Sequence, residues 1–223
     1  MSAEPRAWRL RGLYAITPEE PDTDLLERKV RACLDGGAAA VQYRAKTLSK
    51  ALRAEQAGRL AALCRSRGIP FIVNDDVELA IASGADGVHL GRDDGDVRMA
   101  REALGGRLLG VSCYDQPARA RAAAAAGADH VAIGSVFMSA TKPGAVRAPL
   151  ALIGEAKRVA ALPVVAIGGI TEANAGQAID AGADMVAVIS AVFDAADVEA
   201  AARAIAEKFN EEPGNARAQS RAV

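Results

Sequence analysis

No apolar run in these 223 residues approaches the ~18 that a membrane-spanning helix needs. The first residues also lack the apolar core of a secretory leader, so the expectation is a cytoplasmic protein with no membrane partner. Cysteine is scarce. Cys33, Cys64 and Cys113 show no CxxC spacing, which excludes a disulfide framework or a zinc cluster and fits a reducing compartment. Each reads as a small buried apolar residue. Histidine is scarcer still. His89 and His130 have no His or Cys neighbour at metal-ligand spacing, so each is expected to be a lone buried imidazole with its hydrogen bond satisfied. A net charge of −1 argues against nucleic acid as the main partner while leaving room for a local basic pocket. A GxGxxG turn is missing too, which weighs against a doubly wound dinucleotide-binding sheet.

What is present is an ordinary soluble composition, 51% apolar and 25% charged, large enough for a full core. Residues 1–9 are polar and expected to be loose. Leu10 to Thr17 reads as a first strand. A helix starting at Pro21 to Thr23 carries Leu25, Leu26, Val30, Cys33 and Leu34 on one face, and Gly36-Gly37 stops it. A motif then recurs. Gly37-Ala38-Ala39-Ala40-Val41-Gln42 is echoed by Gly84-Ala85-Asp86-Gly87-Val88-His89, by Gly127-Ala128-Asp129-His130-Val131-Ala132 and by Gly182-Ala183-Asp184-Met185-Val186-Ala187. Each copy is a helix-stop glycine, a tight turn and an apolar strand. The intervals of 47, 43 and 55 residues each have room for two strand-helix units. The missing strands fall at Phe71-Ile72-Val73, Leu108 to Ser112 and Val164 to Ile167. Eight such units imply a single-domain α/β protein, a (β/α)₈ TIM barrel over residues 10–210, with a polar tail at 211–223.

Barrel enzymes carry their sites where the strands end, and the unusual polar residues fall there. Gln42, Arg44 and Lys46 alternate with Val41, Tyr43 and Ala45, so period two places them on one face of the second strand. An amide with two cations suits an anion: Arg offers a planar fork to phosphate oxygens and Lys a point charge. Asn74-Asp75-Asp76 and Asp93-Asp94 end the third and fourth strands. Asp76 and Asp93 are expected to cap helices, which leaves Asp75 and Asp94 for a hard cation such as Mg²⁺. A long loop through Ser139, Thr141 and Lys142 follows the sixth strand. Gly168-Gly169 after the seventh and Ile189-Ser190 after the eighth offer backbone amides as a phosphate cup, and Thr171 is expected to cap the next helix. The residues alone therefore describe a barrel with two anion sites, one cationic with a metal and one of amides, handling two phosphorylated small molecules.

Together Gln42-x-Arg44-x-Lys46, Asn74-Asp75-Asp76, Gly87 to Asp94, Gly110-Val111-Ser112, Ser139-x-Thr141-Lys142, Ile167-Gly168-Gly169-Ile170 and Ile189-Ser190 resemble the thiamine phosphate synthase family, from about Leu13 to Ala204. The resemblance implies condensation of 4-amino-5-hydroxymethyl-2-methylpyrimidine diphosphate with hydroxyethylthiazole phosphate, pyrophosphate leaving first to give a pyrimidine cation. It assigns Gln42, Arg44, Lys46, Asn74 and Lys142 to the diphosphate and Asp75 and Asp94 to Mg²⁺. It gives Ser112 to the departing pyrophosphate, and Ser139, Thr141, Gly169, Ile189 and Ser190 to the thiazole phosphate. Arg44, Lys46, Ser112 and Lys142 form its catalytic set. Met138 stands where the family often has proline, and Ser139 where threonine is frequent. A similar sister group of thiazole tautomerases carries histidine where this chain has Tyr114. The alternatives are such a tautomerase-like relative or a non-catalytic binding domain of the same pathway. A homo-oligomer is compatible with all three.

Overall fold

A computed structural model describes residues 8–138 and 146–211. The expected loose ends lie almost wholly outside them, as do Ser139, Thr141 and Lys142. Strand and helix alternate. β1 (Gly12–Ile16) is followed by α1 (Thr23–Asp35), β2 (Ala38–Tyr43), α2 (Lys50–Arg67), β3 (Phe71–Asn74), α3 (Val77–Ser83), β4 (Gly87–Leu90) and α4 (Val97–Leu104). The second half continues with β5 (Leu108–Tyr114), α5 (Pro117–Ala125), β6 (His130–Gly134), α6 (Ala151–Ala160), β7 (Val164–Ile167), α7 (Glu172–Asp180) and β8 (Met185–Val188), then α8 (Ser190–Phe193) and α9 (Val198–Glu207). The strands are parallel and pair in chain order, and β8 closes on β1. The expected (β/α)₈ barrel is the observed architecture.

Both faces of each strand are covered, so the strands read as continuous apolar runs rather than alternating ones. The two faces still have separate roles. Leu13 and Ala15 of β1 and Val186 and Val188 of β8 pack outward in the large cluster under the helices. Tyr14, Ile16, Met185 and Ala187 point inward and meet Ala40, Ile72, Ala132 and Val165 in the barrel lumen. Period two along each strand sorts these residues. Burial of each large side chain in either cluster contributes roughly 1.5–3 kcal/mol.

The recurring Gly-Ala-Asp explains how the bottom of the barrel is sealed. Asp86 donates its N–H to the Phe71 carbonyl at 2.8 Å and accepts from the Phe71 N–H at 2.9 Å. Asp129 makes the same two bonds with Leu109, at 2.8 and 2.7 Å. Asp184 makes them with Val164, at 2.8 and 2.9 Å. Each carboxylate thus satisfies an amide at the start of the preceding strand.

Three expectations need correction at element ends. The first strand is shorter, since sheet pairing begins at Gly12 and stops at Ile16. The second ends at Tyr43. Arg44 lies past the ladder because its N–H goes to Thr17 Oγ1 at 2.9 Å, so the alternation does not carry Arg44 and Lys46 on a strand face. Asp93 is not a cap. It is exposed in the turn, and Asp96 caps α4 by accepting from the Arg98 and Met99 amides. Asp76 does cap α3, accepting from Leu79 N–H at 2.8 Å, and Thr171 occupies the N-cap position of α7.

Candidate active site

The strand ends at the C-terminal mouth bring the candidate residues together. Gln42 is buried in the lumen, where its amide nitrogen donates to Tyr14 Oη at 3.0 Å. The next side chain, Tyr43, faces the other way and donates to Gln56 on α2 at 2.8 Å. Beyond β2 the loop bearing Arg44 and Lys46 is held by a residue that the sequence pattern did not single out. Glu19 accepts from Thr47 N–H at 2.5 Å, Thr47 Oγ1 at 2.6 Å and Leu48 N–H at 3.1 Å. The Thr47 hydroxyl, with those amides, holds the Glu19 carboxyl below the usual range. Glu19 and Thr17 lie about thirty residues from the loop that they fix, so no local spacing could reveal them.

Lys46 Nζ stands 3.0 Å from Asp75 Oδ2, an ion pair between the second and third strand ends. Asp75 adopts a left-handed backbone, φ 66°. An L residue there is strained, a state found where surrounding structure and function demand it. Its N–H donates to the His89 carbonyl at 2.8 Å, tying the end of β3 to β4. Asp94 accepts from Gly91 N–H at 2.7 Å, which closes the turn after β4 and aims the carboxylate back towards Asp75. Partial burial, then hydrogen bonding with Asp75, pushes the Asp94 carboxyl above its ordinary range.

This donor set fits a divalent hard cation. Two carboxylates in mutual reach at a mouth lined by Asn74 repel each other until a cation or a proton sits between them. Among the described residues no group of three or more His, Cys, Asp or Glu could hold a metal alone. Mg²⁺ needs no such group, because it uses one or two protein carboxylates and completes its shell with phosphate oxygens and water.

Ser112 follows on β5. Its hydroxyl lies 2.9 Å from His89 Nε2, and Arg119 Nε donates to its carbonyl at 3.0 Å. Tyr114 lies beneath two guanidinium groups, Arg92 and Arg119, 4.6 and 5.8 Å from its ring centre, and its hydroxyl accepts from Arg92 N–H at 3.1 Å. The histidines are not solitary. His89 and His130 face each other with ring centres 5.6 Å apart, because β4 and β6 both flank β5 and register brings them level. Sequence separation of 41 residues hides that pairing. The three cysteines are buried as expected, with burial raising each thiol to about 12.

On the far side, Gly168 and Gly169 take φ 106° and 60°. The sequence reading left them bare so that a phosphate could approach. The close neighbour is instead the protein's own backbone. A Cβ on Gly168 would sit 2.7 Å from Ser135 Cα, and one on Gly169 would strike the Met138 carbonyl group, 2.7 Å from its carbon. These glycines therefore let the segment after β6 lie against the end of β7. Ile189 is partly buried and Ser190 is exposed where α8 begins. A cleft of about 440 Å³ at the opposite mouth, lined by Arg9, Arg11 and Glu207, is remote from all these residues.

Comparison with known proteins agrees with the geometry. The family model described as thiamine monophosphate synthase matches residues 13–192. The chain belongs to this family. It is 58% identical over 203 residues to the thiamine-phosphate synthase of Aromatoleum aromaticum, covering 91% of this chain and 98% of that one. The corresponding protein of Thiobacillus denitrificans is also 58% identical over 203 residues, covering 91% and 96%. A solved thiamine phosphate pyrophosphorylase from Pyrococcus furiosus superposes with a TM-score of 0.82 at 34% identity, covering 91% of this chain and 96% of that one. Among the described residues no helix is long and apolar enough to cross a membrane.

Proposed function

We propose that this chain joins 4-amino-5-hydroxymethyl-2-methylpyrimidine diphosphate to hydroxyethylthiazole phosphate, forming thiamine phosphate and releasing pyrophosphate in the cytoplasm. The observation that carries the reading is the Lys46–Asp75 pair at 3.0 Å with Asp94 in reach, since a metal diphosphate needs acids and cations side by side. Gln42, Arg44, Lys46 and Asn74 bind the diphosphate, joined by Lys142 from the loop after β6. Asp75 and Asp94 hold Mg²⁺, which when bound neutralises charge on the diphosphate oxygens. Arg44 and Lys46 lie beside that charge, and their interaction strengthens as the carbon–oxygen bond breaks. Ser112 donates to the departing pyrophosphate. The thiazole nitrogen then attacks the pyrimidine cation, so neither a protein nucleophile nor a general base is required. Ser139, Thr141, Gly169, Ile189 and Ser190 surround the thiazole phosphate.

The decisive assay couples pyrophosphate release to a colour change with both substrates and Mg²⁺ present. Release that requires both substrates and yields thiamine phosphate supports the reading. Conversion of thiazole phosphate tautomers without pyrophosphate release refutes it in favour of a tautomerase. Binding of both substrates without turnover refutes it in favour of a binding domain.

A further inference from the structure

Beneath the mouth, the lumen holds a row of His89 on β4, Gly110 on β5 and His130 on β6, level in the sheet register. The glycine makes the row possible, because any Cβ at 110 would overlap His130 Nε2 and His89 Nδ1. His89 is 6% exposed and His130 is 1% exposed. His89 Nε2 lies 2.9 Å from Ser112 Oγ, and His89 Nδ1 lies 3.5 Å from His130 Nε2. Tyr14 packs against His130 with ring centres 6.0 Å apart and planes at 77°. His130 Nδ1 is buried without a hydrogen-bond partner among the described residues.

That orphaned nitrogen decides which way the protons run. A neutral imidazole carries one N–H and one lone pair. If the His130 proton sat on Nδ1, a buried N–H would have no acceptor, and orphaned N–H groups are the rarer defect. The proton therefore belongs on His130 Nε2, where it faces His89 Nδ1. His89 Nδ1 is then the acceptor and His89 Nε2 carries the N–H, which donates to Ser112 Oγ. With a lone pair of its oxygen engaged from below, the Ser112 hydroxyl keeps its own proton for the mouth. Both rings are buried, which disfavours an imidazolium, and an added proton would face the other ring's N–H or sit on the orphaned nitrogen.

We infer that His89 and His130 are positioning residues whose linked tautomers make Ser112 a hydrogen-bond donor towards the anionic group of the substrate. This rests on the reading of Ser112 given above, but its structural half stands apart from turnover. The histidines are the only two in the chain, so ¹⁵N-histidine labelling gives a simple spectrum. Long-range ¹H–¹⁵N correlation on the native enzyme at pH 7.5 is expected to show both protons on Nε2. A His89 proton on Nδ1, or an imidazolium at either position, overturns the inference.

Kinetics test the functional half. His89→Gln keeps an amide N–H near the Nε2 position and is expected to hold kcat within about threefold. His89→Asn withdraws it and should lower kcat by about 10²-fold with KM little changed, the scale of one preorganised donor. Ser112→Ala should match that loss, and the double variant should lose no more, because the two residues act as one unit. Equal losses in both amide variants, or additive losses in the double variant, overturn the positioning role. Unchanged kcat in Ser112→Ala with the expected tautomers intact instead removes the serine from the proposed reaction.

Discussion

The two mouths of the barrel use aspartate in opposite ways. At the bottom, Asp86, Asp129 and Asp184 each clamp the start of a strand by two bonds, and Asp129 and Asp184 also meet Arg101 and Lys157 at 2.9 and 2.8 Å. Their hydrogen-bonding capacity goes to holding the fold. At the top, Asp75 and Asp94 face each other across adjacent strand ends, with Lys46 beside one of them and an amide beneath the other. Their charge is incompletely balanced, and that imbalance is what a metal diphosphate can use. Aspartate is structural where amides and cations of the fold take its oxygens, and on the proposed reading it is a ligand where its partner comes from solution.

The comparison is broken or sharpened by substitutions at both mouths. The largest effect is expected at the top. Asp75→Asn or Asp94→Asn should lower pyrophosphate release by about 10²- to 10³-fold, the scale of losing a preorganised electrostatic contact. Its Mg²⁺ activation curve should flatten. The unfolding midpoint should change little, since relief of the like-charge pair offsets the loss of the exposed Lys46 pair or a weaker Gly91 bond. Unchanged Mg²⁺ activation in both variants would remove these residues from the metal shell.

Next comes Lys142→Ala, expected to cost kcat about 10²-fold and more than it costs KM, because charge neutralisation matters most as the bond breaks. A rise in KM alone means the lysine binds substrate and transition state equally.

Gly169→Val tests how far the amide side is independent of the cationic side. The new side chain meets the Met138 carbonyl, so the segment that leads to Lys142 must move. Thiazole phosphate affinity should drop about tenfold or more, equivalent to at least ~1.4 kcal/mol. Pyrimidine diphosphate affinity should drop by a smaller factor. Calorimetric titration of each substrate measures both, and loss confined to the thiazole phosphate would show that the two sides do not communicate through this loop.

The smallest effect on activity belongs to the bottom. Asp129→Ala leaves the Leu109 N–H without its acceptor, at a cost of roughly 1–3 kcal/mol in stability. At about 2–4 °C per kcal/mol for a chain of this size, the unfolding midpoint should fall by roughly 2–12 °C. Activity at low temperature should be unchanged. A loss of kcat in the still-folded variant would end the division of labour between the mouths.

Much of this was legible in the residues. The recurring Gly-Ala-Asp with its apolar followers marked strand starts, and the apolar run into Asn74-Asp75 marked a strand end, whereas β4 stops at Leu90 and Asp93-Asp94 lie in the turn beyond it. What failed to show depended on neighbours distant in sequence. Alternation extended the second strand through Lys46, but Thr17 takes the Arg44 amide and ends it at Tyr43. Asp93 looked like a cap, yet the turn runs on and Asp96 caps the helix. The contact of Gly169 with the Met138 backbone joins residues that no local pattern links.

The sequence by itself determined the architecture, because strand and helix periods are local properties repeated along the chain, and the recurring glycine turns mark where strands begin. It determined the inventory of the site for the same reason: charged residues at strand ends are costly unless they have a use. Only the tertiary structure decided which of them touch. Closure of the barrel places Lys46 on Asp75 and Asp75 near Asp94, and sets Glu19 under the loop that carries the cations. It also brings His89 and His130 together over Gly110, since parallel register joins strands that the sequence separates by whole helices.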